Sequence, residues 1–162
     1  LISSPGISTN TTRLRYGRMV IGNAYGSELL PLPIPLEAQY WQSGGFYATN
    51  RDDNCTSFNV SSLMLSNPTQ QLDLCETHFS PTGSMTVMGG KAALQLTAPG
   101  VGNSGSVNLS LNVGNSPSGV TCLASSASNA TAANLPQFGA NPVGRATFGV
   151  RKAPLIYRRE NY

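Results

Sequence analysis

Charge is scarce in this sequence: Lys, Arg, Asp and Glu make up 10% of its 162 residues, against roughly a quarter in an ordinary soluble domain. So few charges make a poor instrument for docking onto phosphate backbones, and nucleic acid is not an expected partner. Histidine occurs once, at His78, which excludes a histidine-rich metal site and leaves any catalytic triad a single candidate base. No Cys-x-x-Cys pair, Gly-x-Ser-x-Gly elbow or phosphate-binding loop occurs, and no apolar run approaches the ~18 residues that a membrane-spanning helix needs. Gly100, Gly102 and Gly105 have the spacing of a dinucleotide-binding loop. That loop presents a helix N-terminus to a pyrophosphate, whereas these glycines run into an alternating stretch at 106–113. They read as a hairpin turn, and no cofactor is expected.

Neutral polarity takes the place of charge. Ser, Thr and Asn account for 46 of the 162 residues, a surface common on extracellular β-rich proteins. The few charges are unevenly spread: residues 1–51 carry +2 (four Arg, two Glu), 52–144 carry −3 (one Lys, three Asp, one Glu) and 145–162 carry +4. Arg145, Arg151, Lys152, Arg158 and Arg159 are the place for an anion-binding patch. With sparse aromatic residues among them, they read instead as solvated positions on terminal strands, where charge discourages unwanted edge pairing.

The apolar residues recur with the period of strands, not of helices. Val107, Leu109, Leu111 and Val113 alternate with polar neighbours, as do Ala92, Leu94 and Leu96, and Met85 and Val87. Leu63–Met64–Leu65 is a short apolar run, Ala146, Phe148 and Val150 share a face, and Leu155–Ile156–Tyr157 reads as the last strand. Only 124–134 carries enough alanine for a helical turn, and its serines and asparagines suit a loop equally. Eight or more short strands punctuated by Gly and Pro predict an all-β domain, an antiparallel β-sandwich of jelly-roll or immunoglobulin-like type. Residues 13–162 form this one domain. Residues 1–12, with Leu1, Ile2 and Ile7 as their only apolar anchors, form an extended N-terminal segment available for exchange with a neighbour.

The chain is organised around 13–56. Arg13–Leu14–Arg15–Tyr16 and Met19–Val20–Ile21 suit an extended segment with one buried face. Pro31, Pro33 and Pro35 remove three donors within five residues, which predicts an edge or polyproline-like segment pressed on the core and argues against a central strand. Beyond them Leu36, Ala38 and Tyr40 share a face, Ser43–Gly44–Gly45 turns the chain and Phe46–Tyr47–Ala48–Thr49 returns it as a hairpin. The string Asn23–Leu36, then Ala38–Trp41, Phe46, Thr49–Asn50 and Asp52–Thr56 resembles the C-terminal domain of MshQ-like proteins, large bacterial surface proteins named after the mannose-sensitive haemagglutinin pilus. Gly144–Gly149 and Leu155–Glu160 are similar to the closing motif of the same domain. The resemblance implies an extracellular or cell-surface location in a Gram-negative bacterium and a pilus-related context, without a settled activity. It also implies a fragment released from a longer secreted precursor, since the family features start almost at once after Leu1. Family members carry an Asp- and Trp-containing stretch before the closing motif, where this chain has Leu135–Val143, so no calcium role is carried over.

Three cysteines in an oxidising location leave one unpaired. Cys55 and Cys75 both flank turn-like sequence, and closing their 20-residue separation would stabilise the fold by roughly 3 kcal/mol in the loop-entropy model. That pairing is the expected one, with Cys122 a buried free thiol; Cys75 with Cys122 is its rival. Cys75 and His78 have the residue types of a thiol nucleophile and its base, and with Cys122 those of a zinc site. The surface context favours a disulfide cysteine beside an exposed loop histidine over the first, and no Cys-x-x-Cys pair supports the second. Asp52 and Asp53 read as an acidic turn, with calcium the alternative.

Two function classes follow. One is a non-enzymatic structural or adhesive surface protein that self-associates into an oligomer or pilus-like filament, or joins a pilus-related protein, by strand addition through Leu1, Ile2 and Ile7. The other is a carbohydrate-binding module or hydrolase that stacks sugar on Tyr40, Trp41 and Tyr47. The position of Trp41 separates them: packed inside the sandwich, as a lone strand Trp commonly is, it is lost to sugar. Because the acid-rich segment is absent, EDTA should leave the thermal unfolding midpoint unchanged. A fall of many degrees would overturn the metal-free expectation.

Overall fold

The structure, a computed structural model, describes residues 16–114 and 119–149, so the expected last strand at Leu155–Tyr157 and the anchors Leu1, Ile2 and Ile7 lie outside the described residues. The described residues begin with three strands: β1 (Gly17–Ile21), β2 (Ala24–Gly26) and the eleven-residue β3 (Leu32–Gln42). β3 is the spine of the first sheet. It pairs with β1 on one flank, and on the other with β9 (Lys91–Leu96) over its first half and β4 (Phe46–Thr49) over its second. β7 (Phe79–Ser80) closes this sheet beyond β9.

A strand that starts Leu32–Pro33–Ile34–Pro35–Leu36 and lies inside a sheet contradicts the expectation from the prolines. The reason is the direction in which the missing donors face. Pro35 accepts a hydrogen bond from the Gly22 amide at 2.7 Å through its carbonyl, on the β1 flank, and in an extended chain a residue's nitrogen and carbonyl point to the same flank. The nitrogens of Pro33 and Pro35 therefore face the side where β1 has already ended at Ile21. Leu32, Ile34 and Leu36 present their polar groups to β9, where partners exist. The same alternation buries Leu32, Ile34, Leu36 and Ala38 and leaves both prolines in solvent.

The second sheet has the order β12–β11–β6–β10–β13–β2, with β6 (Leu63–Ser66), β10 (Gly105–Leu111), β11 (Val120–Cys122), β12 (Ala127–Asn129) and β13 (Val143–Phe148). Its pairings are antiparallel except for β13 on β2, so the sheet is mixed rather than purely antiparallel. Val107, Leu109, Leu111 and Val113, the alternating set read from the sequence, are all buried and face Leu36, Phe79, Leu94 and Leu96 of the first sheet in one core. Each such side chain taken from water stabilises the fold by about 1.5–3 kcal/mol. A two-stranded ribbon, β5 (Ser57–Asn59) with β8 (Ser84–Thr86), adds Phe58 and Met85 to it. The fold is thus all-β, two sheets on a shared core. Residues 124–134 hold the short strand β12 instead of a helical turn. Gly100–Gly105 are not a hairpin turn either, because β9 and β10 belong to different sheets and the loop crosses between them.

The disulfide joins Cys75 to Cys122, across 47 residues with a Cα–Cα separation of 5.2 Å. Cys55 is free and exposed. Both halves of the expectation, a Cys55–Cys75 bridge and a free Cys122, are corrected. Loop entropy was a weak guide, since it gives about 3 kcal/mol for the shorter loop and about 4 kcal/mol for the longer, a gap smaller than its own error. The position in the fold decides: Cys122 ends a buried strand of the second sheet beside the β6–β7 connection that carries Cys75, and both are buried. Non-reducing peptide mapping should join the peptides of Cys75 and Cys122, and native protein should release one titratable thiol, abolished by Cys55→Ser. Replacing Cys75 and Cys122 together by serine should cost about 2–5 kcal/mol of stability. Two reactive thiols in the native wild type would contradict this pairing.

Candidate functional site

Because side chains alternate along a strand, burying Leu36 and Ala38 forces Glu37, Gln39 and Trp41 onto the outer face of the first sheet. The register then brings further residues to them. The Trp41 amide donates to the Tyr16 carbonyl at 2.8 Å, Trp41 pairs with Tyr47 of β4, and Arg18 pairs with Gln39. The result is a solvent-facing aromatic group at one end of the sheet. Trp41 is 48% exposed and Tyr16 69%. The Trp41 and Tyr47 rings meet edge-on with centroids 5.0 Å apart and planes at 73°. Tyr16 lies 6.4 Å from Tyr47, tilted by 48°.

Polar side chains hold this group in place. The Arg18 guanidinium lies 3.7 Å from the centre of the Tyr47 ring, a cation–π contact, and donates from Nε and Nη2 to Gln39 Oε1 at 3.0 and 2.9 Å. Gln39 Nε2 donates to Glu37 Oε2 at 3.4 Å, as does the Thr49 hydroxyl at 3.0 Å. Lys91 stands 3.6 Å from the other oxygen of Glu37. Glu37 is therefore matched by Lys91, while Arg18 is held by neutral groups.

Beneath the hairpin of β3 and β4 lies the acidic turn. Asp53 is buried, and its carboxylate serves its own loop: Oδ1 accepts from the amides of Cys55 at 3.3 Å and Thr56 at 3.0 Å, and Oδ2 from the Thr56 hydroxyl at 2.7 Å. Gly90 locks this loop to β3, receiving from the Ala38 amide and donating to the Asp53 carbonyl. Its φ is +78°, and a Cβ there would come 2.6 Å from the Asn50 carbonyl oxygen, so only glycine fits. Among the described residues no group of three His, Cys, Asp or Glu side chains is gathered around a point.

The three predicted sugar-stacking residues are divided by the strand itself. Trp41 and Tyr47 meet on the outer face. Tyr40, one residue away, faces the other side and lines an open groove of about 310 Å³ with Gln42, Ala48 and Arg51; its hydroxyl accepts from Gln42 Nε2 at 2.8 Å. Sequence reasoning missed Tyr16, Arg18 and Gln39, for which part of a signal existed: along the strand Tyr16 and Arg18 have the parity opposite to buried Met19 and Ile21, but only the β1–β3 register sets them beside Trp41 and Gln39. The thiol–imidazole idea ends with the Cys75 sulfur in a disulfide and His78 Nδ1 at 3.2 Å from the Thr97 hydroxyl. Of the terminal basic residues, Arg145 binds the Ser106 hydroxyl through Nε and Nη2 at 3.0 and 2.6 Å; Arg151, Lys152, Arg158 and Arg159 lie outside the described residues.

The sequence model of the family described as DUF6701, fourth domain, matches residues 15–161. No curated protein and no solved structure matches the chain.

Asp53→Ala should destabilise the domain by about 1–2 kcal/mol, because it takes the shared acceptor from two part-buried hydrogen-bonded amides and a hydroxyl. Chemical denaturation checks this, and an unchanged midpoint would show that the loop stands without the carboxylate.

Proposed function

The chain belongs to the DUF6701 fourth-domain family, and we propose that it is a non-enzymatic, adhesive surface domain that binds carbohydrate on the outer face of its first sheet. The observation that carries this is Trp41 on the solvent side, grouped with Tyr16 and Tyr47. A large ring left in water on a sheet face forgoes the burial that stabilises its counterparts in the core, and the C–H faces of sugars supply the apolar partner it lacks. Gln39 and Thr49 stand beside the rings with amide and hydroxyl groups of the kind that read sugar hydroxyls.

The extracellular, Gram-negative and pilus-related setting comes from the resemblance to MshQ-like proteins, and the disulfide is compatible with it, since such bridges persist in oxidising compartments. Assembly by strand addition has less support. Leu1, Ile2 and Ile7 lie outside the described residues, and among the described residues the strands at the edges of the two sheets, β1, β4, β7, β12 and β2, have five, four, two, three and three residues. Short edges are a device that discourages such pairing.

Binding to an immobilised panel of oligosaccharides, followed by calorimetry on the best of them, tests the proposal. Trp41→Ala should weaken binding about tenfold or more, roughly 1.4 kcal/mol, with a folded, disulfide-bonded domain retained. Absence of binding across the panel at millimolar concentration would end the proposal, as would an unchanged affinity in the variant.

A further inference from the structure

We infer that the outer aromatic face takes an acidic sugar, a single uronic- or sialic-acid-type residue whose carboxylate meets Arg18. This rests on the carbohydrate reading and narrows it. Ring geometry limits the footprint first. A polysaccharide lying flat needs aromatic planes roughly parallel to one another, whereas Trp41 and Tyr47 stand at 73° and Tyr16 and Tyr47 at 48°. Such rings form a bracket around one sugar unit, not a strip beneath a chain.

Charge then selects the sugar. Among the described residues, Glu37, Lys91 and Arg18 are the charged side chains beside the rings on this face, and the first two stand as a pair 3.6 Å apart. Arg18 has an amide oxygen and a tyrosine ring as its partners, and no carboxylate lies within ion-pair distance of it among the described residues. Among the described residues the face therefore carries one uncompensated positive charge, on an exposed residue. Guanidinium has five N–H donors; two go to Gln39 Oε1 and three remain. Stacking on Tyr47 and the two hydrogen bonds to Gln39 Oε1 hold its plane before any ligand arrives, so little side-chain freedom is lost on binding. A planar, held, unpaired guanidinium beside aromatic rings matches a carboxylate attached to a ring with an apolar face.

Two matched pairs of probes test this by calorimetry on the intact chain: trigalacturonate against carboxyl-reduced trigalacturonate, and sialyllactose against lactose. In at least one pair the acidic sugar should bind about tenfold tighter than its neutral partner, a charge-assisted contact being of that order, and the advantage should shrink as salt is raised. Arg18→Gln should erase the difference between the acidic and the neutral sugar, and Lys91→Gln should leave the difference intact. Equal affinity for acidic and neutral sugars in both pairs overturns the inference and leaves the carbohydrate reading standing. Loss of the acidic preference in Lys91→Gln as large as in Arg18→Gln also overturns it, because generic surface charge would then be responsible. No binding of any of the four probes, with no other oligosaccharide bound either, brings down the carbohydrate reading itself.

Discussion

Side chains on an extended strand alternate, and in this protein one strand carries the consequence furthest. Along β3, Leu32, Ile34, Leu36 and Ala38 are buried against the second sheet, and this anchors the register of β1, β9 and β4, which all pair with it. A slip of one residue would turn that apolar set into solvent and bury Glu37 and Gln39 without partners, an arrangement that costs several kcal/mol for the carboxylate alone. The core thus dictates the position of the outer face. Trp41, Gln39 and Glu37 are outside because their neighbours are inside.

The same coupling explains the supports of the site. The loop 50–56 returns from β4 under the hairpin, and Gly90 joins it to β3 through two backbone hydrogen bonds. Asp53 closes the loop from within. Polar groups here fill structural roles of the kind that a chain poor in charge must assign to neutral amides, hydroxyls and backbone. Where formal charges do occur among the described residues beside the rings, one pair cancels and one cation is held by neutral partners. Few charges make the uncancelled one conspicuous.

Much of the fold was legible in the sequence because it depends on a period of two. The alternation at 107–113, at 92–96 and at 36–40, and the hairpin turn at Ser43–Gly45, each specify a strand with one buried face by themselves. What was not legible depends on pairing between distant segments. The prolines of β3 looked incompatible with a sheet interior, and only the length of β1 shows that their nitrogens face the flank beyond its end. Cys122 looked like a lone buried thiol because nothing near it in sequence reveals that the β6–β7 connection packs beside it. The outer face was half legible: Trp41 and Tyr47 were singled out, Tyr40 was placed with them against its own strand parity, and Tyr16 and Arg18 needed the β1–β3 register.

The ends of the described fold lie apart. Tyr16 is bonded to Trp41 near the close of β3, whereas Gly149 is bonded to Gly26, which packs against Leu32 at its start. Nine strand steps at about 3.3 Å separate those two levels by roughly 30 Å. A domain strung between anchors at Tyr16 and Gly149 would thus feel tension along its length, and the Cys75–Cys122 bridge lies within that span. Covalent closure of 47 residues withholds about 160 Å of contour length, at ~3.4 Å per residue, from any stretching of the chain. Even a domain pulled open would keep that loop closed and give up only part of its slack.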